Sequence, residues 1–167
     1  PLATAGQRDR VERYIAKGRG DGARITYGGG RPAGMDKGWF VEPTIFTGVN
    51  NQMRIAQEEV FGPVLSVIPF HDEDEAIAIG NDIVYGLAAG VWTQNMRRAF
   101  KMAERLLAGT VWVNTYRAIS YLSPFGGYKA SGAGRVNRAE AVDEFLQTKS
   151  VWCELSSDIQ DPFVLRA

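Results

Sequence analysis

The sequence predicts an α/β fold built from parallel βαβ units, and three observations carry that expectation. Val64 to Phe70 is a compact apolar run, Asp72 with Glu75 forms a capping box that opens a helix, and Leu87 to Thr93 has the pattern of a buried strand. A second amphipathic helix follows, with Met96, Ala99, Phe100, Ala103, Leu106 and Leu107 on one face, and then a strand at Thr110 to Val113. Strand and helix in alternation place parallel strands side by side, and such a sheet needs cover on both faces.

Taken in order from the N-terminus, Val11, Tyr14 and Ile15 recur at helical spacing between Arg8 and Lys17, and glycines from Gly18 to Gly22 end that helix. Arg24 to Tyr27 is a short strand. Gly28-Gly-Gly with Pro32, Gly34 and Gly38 reads as a surface connection, because the Lys-Ser/Thr pair of a P-loop does not follow Gly30. Trp39 to Val49 is rich in β-branched and aromatic residues, so strands flank the segment around Glu58 to Val64. The helix after Asp72 carries Ala76, Ile77 and Ile79 before Gly80. Lys149 to Leu155 reads as a last strand with no helix after it; an unpaired apolar strand needs its edge covered, and a partner subunit is the natural cover. The tail, Ser156 to Ala167, falls outside the core, and no internal repeat or low-complexity segment interrupts the chain.

With 167 residues, 45% of them hydrophobic, the chain can close one domain around a core. Lys plus Arg and Asp plus Glu both number 19, so no net field favours nucleic acid or an anionic membrane. One cysteine excludes an internal disulfide framework and makes a reducing cytoplasm the default. One His and one Cys with scattered acids give no zinc spacing, so no metal is expected. No apolar stretch approaches the roughly 18 residues of a membrane span, and no secretory signal precedes Arg8.

Two segments carry chemistry. Residues 58 to 64 read Glu-Glu-Val-Phe-Gly-Pro-Val: a carboxylate pair, an aromatic and Gly-Pro at a strand entrance, at an end of a parallel sheet where α/β ligand sites form. Composition alone favours two surface acids ending a helix and a core Phe61. The second segment runs from Asn114 through Thr115-Tyr-Arg-Ala-Ile-Ser-Tyr-Leu to Ser123-Pro-Phe-Gly-Gly-Tyr-Lys-Ala-Ser-Gly-Ala-Gly-Arg135. It begins beyond the carboxyl end of a strand, where α/β folds place specificity, and its glycines allow tight turns. Taken singly, Tyr116, Tyr121 and Phe125 could as well be packing aromatics.

Together these segments resemble the C-terminal part of an aldehyde dehydrogenase, over essentially the whole chain from Pro1 to Leu155. The resemblance implies residues 1 to 146 as the C-terminal portion of a catalytic domain, 147 to 155 as an oligomerisation strand and 156 to 167 as a tail. It implies that Glu59 accepts hydrogen bonds from the hydroxyls of the nicotinamide ribose, as suits a carboxylate facing a vicinal diol, and that Phe61 packs beside that ribose. By the same resemblance Gln7 reaches toward that ribose, Leu87 packs near the nicotinamide, Ile119 and Phe125 face the aldehyde tunnel, and Asn114 supports it from the strand's end. Ile119 suggests an apolar tunnel, whereas Arg117 would favour a polar or acidic aldehyde. Val136 stands where many members have a glutamate, and Arg138 where a glycine is common, which removes any proton-relay role for Val136.

The family mechanism runs through a cysteine thioester, an oxyanion hole, hydride transfer to NAD or NADP, and a glutamate-activated water. Here the sole cysteine, Cys153, follows Val151-Trp152, and no Gly-x-Gly-x-x-Gly opens a helix after a strand. The nucleophile, general base and main dinucleotide-binding part are therefore expected upstream, and the segment alone is expected to be inactive. Cys153 reads as a small buried apolar residue, and His71 as capping a strand end beside Asp72. The implied partners are an aldehyde and further copies of the chain, as dimer or tetramer, through residues 149 to 155. Two alternatives share the sequence: a stand-alone, noncatalytic interaction module, and a fragment of a related acyl-phosphate or acyl-thioester reductase.

Overall fold

Thr4 starts the first helix, α1 (Ala5–Gly20), by accepting a hydrogen bond from the Gln7 amide with its hydroxyl at 3.2 Å. Lys17 and Arg19 in the last turn oppose the negative end of the helix dipole. The computed structural model describes residues 1–153 and 155. Val11, Ile15 and Gly18 form the buried stripe of α1. Gly18 has to be small: a Cβ there would sit 3.0 Å from Ile55 Cδ1 and from the Phe46 ring.

Strand β1 (Arg24–Tyr27) runs antiparallel to β2 (Thr44–Thr47), with the register shifting between Ile25 and Tyr27, and β2 runs parallel to β3 (Val64–Ser66). The strand expected over Trp39 to Val49 is confined to β2, because Pro43 offers no N–H and Gly48 turns the chain at φ +66. Between β2 and β3 lies a single helical turn, α2 (Arg54–Gln57), capped at Glu58, where composition alone reads the acid pair as ending a helix. Val11, Ile15, Ala23, Phe46, Val49, Ile55 and Val60 make one contiguous core under these elements.

Helix α3 (Glu73–Asn81) begins at the expected cap: Asp72 accepts from the Glu75 amide at 2.9 Å. Glu75 in turn reaches back one residue further than in a standard capping box, to the His71 amide at 2.6 Å and its Nδ1 at 2.8 Å. His71 thus belongs to a helix entrance, not to a strand end as expected. Strand β4 (Tyr85–Gly86) pairs antiparallel with β7 (Tyr128–Lys129). Strand β5 (Ala88–Val91), helix α4 (Met96–Arg105) and strand β6 (Thr110–Val113) form a βαβ unit, β5 and β6 being parallel. A last short helix, α5 (Glu140–Asp143), follows the glycine-rich loop.

The α/β class and the parallel pairings are as expected, but the described residues form three small sheets and no continuous one. Strand β3 ends its sheet, β5 pairs only with β6, and a concavity of about 630 Å³ lined by Ile68, Ala76, Val91, Met102 and Leu106 among others lies against α3, α4 and β5. Polar clamps tie the pieces together: Asn51 and Gln57 donate to the Asp82 carbonyl, Lys129 donates to the carbonyls of Asn81 and Ile83, and Asn81 bonds Arg105 O and Leu107 N.

Residues 149–153 and 155 enter no ladder, since a strand is defined by a partner and none of the described residues provides one. Glu154 and the tail 156–167 lie outside the described residues. Cys153 is an exposed free thiol, which corrects the expectation of a buried one: no described residue packs over a segment in which Trp152 is 93% exposed. No helix among the described residues is long and apolar enough to cross a membrane.

Candidate functional site

Helix α1 turns Gln7, Arg10, Val11 and Tyr14 toward one stretch of chain, the turn from Glu58 to Gly62, as spacings of three, four and seven residues require. Gln7 donates its amide to the Phe61 carbonyl at 3.0 Å and accepts from the Ala3 amide at 3.1 Å. Arg10 donates to the Glu59 carbonyl at 2.6 Å. Val11 is fully buried and fills the space a Gly62 side chain would need. Within this turn Phe61 adopts φ +58, a left-handed conformation that costs a bulky residue about 1 to 3 kcal/mol and persists only where its surroundings fix it.

The two adjacent carboxylates are in opposite situations. Glu58 is half-buried and saturated: the Tyr14 hydroxyl donates to Oε2 at 2.6 Å and Arg54 Nε donates to Oε1 at 2.7 Å. The Tyr14 hydroxyl bond, with Arg54 second, holds the Glu58 carboxyl below the usual range, and the same bond raises the Tyr14 phenol. Glu59 is exposed, and its carboxylate has no hydrogen-bond partner among the described residues. Val60, the next residue, is buried in the core, and Phe61 after it holds its ring out, 64% exposed. Glu59 and Phe61 line a concavity of about 400 Å³ with Glu58, Gly62, Ile55 and Ser66. An unpaired acceptor beside an exposed aromatic face is what a ribose with a vicinal diol requires, so the residues present fit that group.

The second expected cluster is built differently. Asn114 at the end of β6 takes φ +54 and clamps the chain after β5, donating to Thr93 O and accepting from Thr93 N, both at 2.8 Å. It supports the loop through this clamp. Trp112 Nε1 donates to Ala118 O at 2.8 Å and its ring meets Tyr116 edge-on at 5.8 Å, so the loop folds back over β6 while Ile119 points outward, exposed. Phe125 is half-buried and forms an isolated antiparallel bridge with Val136, closing the glycine-rich loop at its base. Arg135 organises the interior of that loop by donating to the carbonyls of Gly127, Ala133 and Gly134 and lying over the Tyr128 ring at 5.5 Å. Arg138 takes φ +62, which accounts for a backbone where a glycine would be at ease.

Gln7, Glu59 and Phe61 are therefore brought together, whereas Leu87 borders a separate concavity of about 360 Å³ with Asn81 and Leu107. Asn114, Ile119 and Phe125 line neither. Arg10, Tyr14 and Arg54 were not singled out from sequence as site residues, although Arg10 and Tyr14 share a helix face with Gln7. No group of three or more metal-binding side chains occurs among the described residues.

Residues 1–151 match the model of the aldehyde dehydrogenase family. The chain belongs to the aldehyde dehydrogenase family. It is similar to a betaine aldehyde dehydrogenase of Brucella anthropi, 48% identical over 165 residues, which cover 98% of this chain and 34% of the relative. Its fold is similar to an aldehyde dehydrogenase of Mycobacterium tuberculosis solved with NAD+, with TM-score 0.89 and 52% identity over 95% of this chain and 33% of that one. It is also similar to the indole-3-acetaldehyde dehydrogenase of P. syringae solved with NAD+ and IAA, with TM-score 0.88 and 51% identity over 92% of this chain and 31% of that one. This aldehyde dehydrogenase segment thus spans about a third of the length of the relatives it matches.

Proposed function

We propose that the segment forms one wall of the nicotinamide site in an NAD(P)-dependent aldehyde dehydrogenase that oxidises an aldehyde to a carboxylate. The observation that carries this is the contrast within the acid pair: Glu58 is used up by Tyr14 and Arg54, while Glu59 keeps both oxygens for a ligand beside the exposed Phe61 ring. Glu59 accepts from the ribose hydroxyls and Phe61 packs against the sugar. Gln7 acts from behind, by fixing the Phe61 carbonyl. A nicotinamide held there would supply the hydride acceptor. Leu87 packs near its ring; Ile119 and Phe125 face the aldehyde, on a loop that Asn114 holds to Thr93.

The nucleophile lies outside these residues, since no cysteine precedes Cys153 and that thiol is exposed next to Trp152. The 167 residues alone accordingly make no NAD(P)H from any aldehyde. Residues 149–155 pair with another copy in a cytoplasmic dimer or tetramer, which would cover the exposed Val151, Trp152 and Leu155.

Glu59→Gln in a full-length enzyme carrying this segment tests the reading. An amide keeps the shape but turns one acceptor into a donor, so hydride transfer in a single turnover should slow by about tenfold while the aldehyde KM stays within about twofold. Unchanged hydride transfer at saturating dinucleotide sinks the assignment.

A further inference from the structure

The Glu58–Gly62 turn is held from two sides. Helix α1 supplies Gln7, Arg10 and Tyr14, and α2 supplies Arg54, whose guanidinium binds the opposite oxygen of the Glu58 carboxylate. Arg10 and Lys17 also lie over the Tyr14 ring, at 5.6 Å and 5.5 Å, which restrains the ring that carries the donating hydroxyl. The clamped stretch contains Phe61 in a left-handed conformation, at φ +58, and ends at Gly62, against which Val11 is seated. Strain of this kind survives only where the surroundings over-determine the backbone, and here polar bonds at a half-exposed surface add to the anchoring of buried Val60 and of Gly62 against Val11.

We propose that Tyr14 and Glu58 are positioning residues for the cofactor: a latch between α1 and α2 that fixes the turn and so aims the Glu59 carboxylate and the Phe61 ring at the nicotinamide ribose. The proposal rests on the assignment of Glu59 and Phe61 to that ribose. Glu58 itself touches no ligand; both of its oxygens are occupied within the protein. Tyr14 packs against the core cluster without being one of its buried members, and Glu58 is not part of it, so Tyr14→Phe releases the latch while keeping the ring that meets the core. Releasing the latch loosens the placement of a group whose misplacement by about 1 Å is enough to slow a reaction strongly.

The test uses a full-length enzyme carrying this segment, with Tyr14→Phe, Glu58→Ala, Glu58→Gln and Glu59→Gln compared in single-turnover hydride transfer, in KM for dinucleotide and aldehyde, and in melting temperature. Tyr14→Phe removes only the hydroxyl and should slow hydride transfer by about fivefold at saturating dinucleotide, with aldehyde KM within about twofold. Glu58→Ala should do the same, and Glu58→Gln, which still offers Tyr14 an acceptor, should recover most of the rate. A purely structural role would lower the melting temperature and leave hydride transfer per folded active site unchanged, and that result in Tyr14→Phe or Glu58→Ala overturns the latch. Slow Glu59→Gln with unaffected latch variants removes the latch alone; unaffected Glu59→Gln removes the ribose assignment beneath it.

Discussion

Up to Ser66, seven buried side chains drawn from α1, β2, α2 and the chain around them touch one another in a single cluster. Beyond it, Ile77, Val91 and Ala99 are the only buried apolar residues among those described, and none joins that cluster. Phe100 is 70% exposed, Phe145 89% and Trp152 93% in the same region. Each is a large apolar side chain left in water. The first region closes a core from its own residues, while the second is shaped for neighbours that the described residues do not provide.

The largest expected effect comes from making one substitution in both regions. Phe46 is completely buried between Gly18 and the core cluster, so Phe46→Ala should cost about 3 to 5 kcal/mol in denaturant unfolding of this chain. Phe100→Ala in the same chain should change stability by no more than about 0.5 kcal/mol, because its ring is already in water. Equal costs would break the comparison. Next in size is Trp152→Ala, which removes the most exposed aromatic of the proposed assembly segment. In the full-length enzyme it should raise the subunit dissociation constant by about 30-fold, as loss of an interface hot spot does, and sedimentation across a concentration series reads it out. An unchanged assembly would remove residues 149–155 from the interface.

The same division explains how much was legible in the sequence. Helical spacing, the Asp72 cap and β-branched runs are local signals, and α1, α3, α4 and β6 fall where those signals lie. Phe61 is within reach through its motif, but its left-handed backbone is not, because the residues that bond this turn, Gln7 and Arg10, lie some fifty residues away. Arg54 escaped notice for a similar reason: its role depends on α2, a single turn too short for periodicity to show. The sheet of parallel βαβ units and the strand at 149–155 are expected from patterns that local sequence carries faithfully. Pairing needs partners, however, and a pattern cannot say whether they lie in the same chain.

Where the second region lacks a core, it substitutes charge. Glu73 on α3 binds Arg98 and Lys101 of α4, and Asp74 binds Arg105 and Lys101, a network spanning the two helices. The Arg98 hydrogen bond lowers the Glu73 carboxyl below its ordinary range, and the Arg105 bond, followed by that of Lys101, does so for Asp74. A folded value below the unfolded one means that the network's contribution is complete above the ordinary carboxylate range and is lost as pH falls through the folded values. These groups are largely solvent-exposed, so the contribution is small and salt-sensitive. Acid should therefore loosen α3 and α4 while α1 and β2 stay protected by apolar packing, which acid leaves unchanged. Amide hydrogen exchange compared between neutral pH and about pH 3, with intrinsic rates corrected, measures this directly. The protection of α3 should fall relative to that of α1, and Asp74→Asn should show part of that loss already at neutral pH. Parallel loss in both regions would mean that the first region also depends on its ion pairs, among them Glu12 with Arg31 and Glu58 with Arg54, and that its core is not sufficient by itself.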